Sequence, residues 1–233
     1  MGAESRIPRD RRRSRPTRAG TILSDQLIVE TAIRLMGQHG AAALTVRRLG
    51  AALGADPSSI YRYFRSTDDL MLAVADELIG RSLAGFEPSA DWRLTLRDLG
   101  LRLHAVSLAH PHVAVLSATR VTRRPHEIRT VELGLGALRS AGFEPDAAAH
   151  HYHCFVDLVL GFAALDAGFE TLPPEAARAD DEAWASTYGR LPAERFPHIA
   201  ACARGLQRSM AVSAFPSTLD LFLGALAELA PVD

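Results

Sequence analysis

The chain has 233 residues, 48% of them hydrophobic and 23% charged, with a formal net charge of −1, which suits one large folded unit or two small ones. No apolar run is expected to reach the roughly 18 residues that a membrane span needs, and the arginine-bearing N-terminus lacks the apolar stretch of a secretory signal. The cysteines, Cys154 and Cys202, are far apart and without CxxC spacing, so they read as reduced, packed thiols in a cytoplasmic protein.

Residues 1–22 hold Arg, Pro and Ser with almost no hydrophobic pattern and are expected to be a disordered tail. Its arginines, from Arg6 to Arg18, suit an arm that tracks phosphates or enters a minor groove, or else a solubilising leader. Ser24 then caps a helix whose Ile28, Ala32, Leu35 and Met36 share a face, ending near Gly40. Thr45 caps the next, with Val46, Leu49 and Leu53 on one side and Gly54 where a left-handed residue is needed. Asp56 caps a further short helix that carries Pro57 at its first position. Ile60 and Phe64 face inward there, leaving Ser58, Ser59, Tyr61, Arg62 and Tyr63 on other faces. Thr67 starts a connecting helix with Leu70, Val74 and Leu78 inward.

A short helix bearing hydroxyls, a phenol and a guanidinium against a supporting helix has the form of a helix-turn-helix DNA reader. A plain αα-corner has the same pattern, and charge separates the two. Residues 1–67 carry twelve arginines against five carboxylates, a formal +7, so residues 68–233 sum to −8. A basic head on an acidic body is expected where one end meets a polyanion.

Beyond Asp91 the pattern is helical almost throughout, near 91–109, 112–123, 125–141, 145–169, 192–208 and 216–230, with a loop expected over 172–191. Nothing alternates with period two, so the fold class is all-α. The predicted division is a tail over 1–22, a reading head over 23–67, a connecting helix and loop over 68–90, and a dimerisation and binding domain over 91–233. Two helices are apolar nearly all round, one through Phe155, Val159 and Leu160 and the other through Leu219, Phe222, Leu223 and Leu226. Such helices are buried on both sides. They form either a four-helix homodimer interface or the centre of a monomer. His150 and His153, at i and i+3, lack a third ligand in sequence, so no metal or other cofactor is expected.

The motifs Leu44-Thr45-Val46, Arg47–Leu49, Leu53-Gly54 and Ile60-Tyr61-x-Tyr63-Phe64 followed by Leu70 resemble the tetracycline repressor family of bacterial transcription regulators. More weakly, Thr122-x-Arg124-Pro125, Ala141-Gly142-Phe143 and Leu160-Gly161 carry the resemblance into the second half. It implies an all-α homodimer on double-stranded operator DNA, with a pocket whose small-molecule effector weakens DNA binding. It also implies DNA contacts by Arg47, Ser59, Tyr61 and Tyr63, to which Ser58, Arg62 and Thr67 are added as candidates by position. Arg47 matches an arginine that reads guanine, and its fork suits the O6 and N7 acceptors.

Where the family's namesake holds a drug–magnesium complex, this chain has Arg120, Leu165, Leu83 and Leu99. An arginine there repels magnesium. A more apolar effector is therefore expected, against Leu83, Leu99, Leu103 and Phe162, oriented by His104, Arg120 and Thr122. The leading reading is a ligand-responsive repressor with no membrane partner. The runner-up is a ligand-independent, architectural DNA-binding protein. An enzyme lacks support, because no nucleophile elbow, phosphate-binding glycine loop or metal-ligand spacing occurs.

Overall fold

A computed structural model describes residues 22–231, so the expectation of disorder over residues 1–21 lies outside the described residues. These form ten α-helices and three short 3₁₀ helices with no β-sheet. The first helices are α1 (Asp25–His39), α2 (Val46–Leu53), α3 (Thr67–Ser82), α4 (Trp92–Ala109) and α5 (Pro111–Ser117). The remainder are α6 (Pro125–Ser140), α7 (Pro145–Glu170), α8 (Pro174–Ser186), α9 (Pro197–Met210) and α10 (Phe215–Leu229).

Their ends follow from local chemistry. Leu27 N–H donates to the Ser24 hydroxyl at 3.1 Å and Arg48 N–H to the Thr45 hydroxyl at 3.3 Å, so both expected caps form. Pro111, Pro125, Pro145, Pro174 and Pro197 each open a helix, where a missing N–H leaves no partner unsatisfied. The buried carboxylate of Asp76, on α3, accepts from Glu127 N–H at 2.9 Å and so caps α6 from a neighbouring helix.

Two cores result. The first packs α1, α2, the 3₁₀ helix Pro57–Arg62 and the front of α3 around Ile28, Met36, Leu49, Ile60, Leu70 and Val74, all at most 1% exposed. Val113 of α5 joins it, so the second half of the chain grips the first directly. The second core gathers α4, α6, α7 and α10 around Leu96, Leu99, Leu138, Phe155, Phe215 and Leu219. The connecting helix α3 belongs to the first core through Leu70 and Val74 and packs on α4 and α6.

Three sequence expectations are corrected. The segment 172–191 is not a loop but contains α8 and a 3₁₀ turn at Tyr188–Arg190. Neither α8 nor α9 buries any residue, so no apolar period announced the former. The helix expected over 112–123 stops at Ser117. Beyond it hydrogen bonds of Arg120, Thr122 and Glu127 hold an irregular, non-helical segment, and Arg123 turns at φ 58°. Finally α7, with 26 residues, is long and apolar enough to cross a membrane by length and composition alone, although no such run was expected. Here its Phe155, Val159, Ala163 and Ala167 pack inside the helical body.

Candidate nucleic-acid interface and cavity

The reading face is built on the turn between α2 and the Pro57–Arg62 helix. Gly54 takes the left-handed conformation, φ 60° and ψ 32°, that reverses the chain. The Asp56 carboxylate then accepts from Ser58 N–H at 2.8 Å and from the Ser58 hydroxyl at 2.6 Å. Ile60 and Phe64, 1% and 3% exposed, anchor this short helix in the first core. Anchored so, it leaves Ser58, Tyr61 and Arg62 exposed on its outer side, with Ser59 half-buried and its hydroxyl donating to Asp56 C=O at 2.6 Å. Arg47 and Arg48, on the first turn of α2, are exposed, and Thr67 is the first residue of α3.

Tyr63 also has a partner inside the head. Its hydroxyl donates to Leu23 C=O at 2.9 Å and its ring packs against the first core. It clips the entry of α1 to the end of the reading helix. The sequence could not show this, because the partner is a backbone carbonyl forty residues away.

A cavity of about 420 Å³ opens between α3, α4, α6, α7 and the segment after α5. Its volume lies in the range of small-molecule sites. Leu103, Val156, Val159 and Leu160 supply apolar wall, while Arg120, Thr130 and Tyr152 supply polar groups. Burial, aided by the nearby Glu127 charge, pushes the Tyr152 phenol up to about 12, so it remains a hydrogen-bond donor at any ordinary pH. Its ring lies so close to α6 that a Cβ on Gly134 would meet it at 2.4 Å.

Of the seven residues expected around a ligand, Leu103 and Arg120 line this cavity. The others lie elsewhere. Leu99, one turn before Leu103, is fully buried in the second core, and Leu83 caps the end of α3 against the same core. His104 turns away to an Asp166 carboxylate at 2.7 Å and stacks on Phe215 with centroids 4.4 Å apart. Phe162 also packs on Phe215, and the Thr122 hydroxyl donates to Asp76 at 3.1 Å. Unanticipated lining residues include Tyr152, Val156 and Val159. Val159 was expected at a subunit interface instead.

Most residues expected at that interface are packed within the single chain. Phe155, Val159, Leu219, Leu223 and Leu226 are at most 4% exposed within the single chain, and only Leu160 and Phe222 are half-buried. A helix apolar all round shows one side to its own core, and these residues are that side. The opposite sides expose Leu165 and Phe169 of α7 and Leu221 and Leu229 of α10, at 55%, 54%, 76% and 64%. Among the described residues no three His, Cys, Asp or Glu side chains are grouped to hold a metal ion. His153 faces Asp157 at 3.3 Å, and His150 lies 3.8 Å from the Cys154 sulfur.

Cavity and reading head are joined by polar bonds. Arg120, on the cavity wall, makes a two-pronged bond to Asp68 at 2.7 and 2.8 Å, and Arg124 reaches Asp69 at 2.6 Å. Both carboxylates stand in the first turn of α3, just after the reading helix. The Arg120 hydrogen bond holds the Asp68 carboxyl below its ordinary range, so the pair persists into mild acid.

Comparison with known proteins places both halves. Residues 28–74 match the family described as bacterial regulatory proteins, tetR family, and residues 85–229 match the tetracyclin repressor-like C-terminal domain. An HTH-type transcriptional regulator of Saccharopolyspora erythraea is 25% identical over 217 residues, which cover 90% of this chain and 92% of that one. A structural-genomics crystal structure from Streptomyces coelicolor A3(2) is 28% identical, covers 91% of this chain and all of its own, and superposes with a TM-score of 0.73. The Streptomyces coelicolor TetR family protein ActR, in complex with actinorhodin, has the same fold with a TM-score of 0.79 at 24% identity, over 89% of this chain and 97% of that one.

Proposed function

The chain belongs to the tetR family of DNA-binding transcription regulators, which is not a family of enzymes, and from that premise we propose that it is an intracellular repressor released by a small molecule. It works as a homodimer on a palindromic operator. The exposed surface of the reading helix, with Ser58, Tyr61 and Arg62 beside Arg47, enters the major groove. Leu165, Phe169, Leu221 and Leu229, joined by Leu160 and Phe222, form the apolar surface that a second copy covers. Two heads related by the dyad then meet successive major grooves about 34–36 Å apart.

The observation that carries a ligand response is the cavity's continuity with the head. A molecule seated against Leu103, Tyr152 and Val156 presses on the wall segment Thr119–Val121. That segment holds Asp68 through Arg120. An effector that fits the displaced arrangement better shifts the population toward heads out of register with the grooves. Among the similar proteins, ActR has a crystal structure in complex with actinorhodin. The apolar wall and the Tyr152, Thr130 and Arg120 groups here suit a fairly apolar molecule with a polar edge.

The test is selection of bound sequences from random duplex DNA, followed by a search for molecules that release them. A palindromic consensus is expected, and Arg47→Ala should cost about 1–3 kcal/mol and relax a single base position. Equal weakening on every sequence would assign Arg47 to phosphate. Binding without sequence preference, unaffected by any ligand, would identify an architectural protein instead.

A further inference from the structure

We infer that the cavity takes an uncharged ring compound bearing a carbonyl-type oxygen, which accepts a hydrogen bond from the Tyr152 hydroxyl; this deepens the ligand-responsive reading above and rests on it. The polar groups on the cavity wall differ in what they have left to offer. Glu127 accepts from Thr122 N–H at 3.0 Å with one carboxylate oxygen and from Arg123 N–H at 2.7 Å with the other. Thr130 donates its hydroxyl to His126 C=O at 2.9 Å, and both prongs of Arg120 lie on Asp68. His153 and Asp157 face each other at 3.3 Å, both largely exposed at the rim. The Thr119 hydroxyl can donate or accept, so it discriminates nothing. The Tyr152 hydroxyl has no hydrogen-bond partner among the described residues, and no enclosed side-chain polar atom among them lacks one. It therefore faces accessible space, and the space that Tyr152 lines is the cavity.

A glycine sets the position of this donor. Gly134 is buried on α6, and a Cβ there would meet the Cε2 and Cδ2 atoms of Tyr152 at 2.4 and 2.7 Å. The missing side chain seats the ring in the wall, so the phenol borders the cavity rather than filling it. Burial beside the Glu127 charge keeps the phenol protonated, with a hydrogen to give. Charged ligands fare worse. A cation finds the carboxylates of the wall already bonded, and an anion must take Arg120 from Asp68. Either also gives up water against Ile79, Leu103, Val131, Val156 and Leu160. A ketone loses little hydration and gains the one donor whose direction and protonation are both fixed.

The experiment uses the full chain and probes built on one ring skeleton: fluorenone, fluorene without the carbonyl, and the fluorene carboxylate anion. Affinities are measured by titration, and the carbonyl stretch of bound fluorenone by infrared difference spectroscopy. The preference for fluorenone over fluorene should fall about three- to ten-fold in Tyr152→Phe, which removes the hydroxyl and leaves the shape. The bound carbonyl stretch, lowered by the hydrogen bond, should rise in the same variant to that of an unbonded ketone. The anion should bind about ten-fold or more weakly than fluorenone. Gly134→Ala should weaken fluorenone by driving the ring off α6; should that variant not fold, Tyr152→Phe still decides. An unchanged preference or an unmoved stretch in Tyr152→Phe overturns the inference, as does an anion that binds as well as the ketone. Failure of every probe to bind overturns it too. Operator DNA separates this from the reading beneath it. Fluorenone held by Tyr152 on a chain that no ligand releases from DNA keeps the inference and removes the ligand response; release without any role for the hydroxyl does the reverse.

Discussion

At the scale of single residues, the informative side chains are those whose partner decides their role. Tyr63 and Tyr152 are both tyrosines on helical stretches, yet one is spent on Leu23 C=O and the other lines the cavity. The difference lies in their surroundings, and the burial of Tyr152 has a spectroscopic signature. The Tyr152 phenol, raised from 10.0 to about 12, favours the neutral form in the folded state. Its contribution to stability is complete below pH 10 and is lost as pH rises through 12. Phenolate absorbance of the wild type minus that of Tyr152→Phe should show a titration centred near 12. A difference centred near 10 would mean that the ring is wet and the cavity open.

At the scale of elements, the helix-turn-helix depends on a single backbone conformation. Gly54 sits at φ 60°, where a Cβ meets the carbonyl that follows. Gly54→Ala should lower stability by about 1 kcal/mol in urea unfolding, and Gly54→Asn by less, because Asn tolerates this region. An unchanged midpoint for Gly54→Ala would show that the turn can relax. Most of this motif was legible in sequence, since Thr45, Gly54, Asp56 and Pro57 act through partners no more than four residues away. The path from Ala118 to Arg124 was not. Its conformation is imposed by Asp68, Asp69 and Asp76, some fifty residues distant.

At the scale of the whole molecule, the proposed interface separates folding from assembly. Leu219 is fully buried and Leu221, two residues on, is 76% exposed. Leu221→Glu should keep the helical content and melting of the chain while halving its sedimenting mass and removing operator binding. Leu219→Glu should unfold it, because a charge is forced into an apolar core with no counter-ion. If Leu221→Glu remains a dimer with full affinity, the second copy sits on another surface. The charge separation also acts at this scale. A formal +7 in residues 1–67 against −8 in residues 68–233 draws the head to DNA and holds the body away.

The amino-acid order alone settled the all-α class, the caps, the helix-turn-helix and the family, because these depend on near neighbours and on periodicity along one strand of chain. Which side of an all-apolar helix meets its own core, and which side is left for a partner, was decided only on folding. So was the cavity: Leu99 and Leu103 are chemically the same and one helical turn apart, yet the first is closed over by its surroundings and the second lines open space. Packing is a property of three or four helices at once, and hydrophobicity read along a single helix carries no record of what stands opposite.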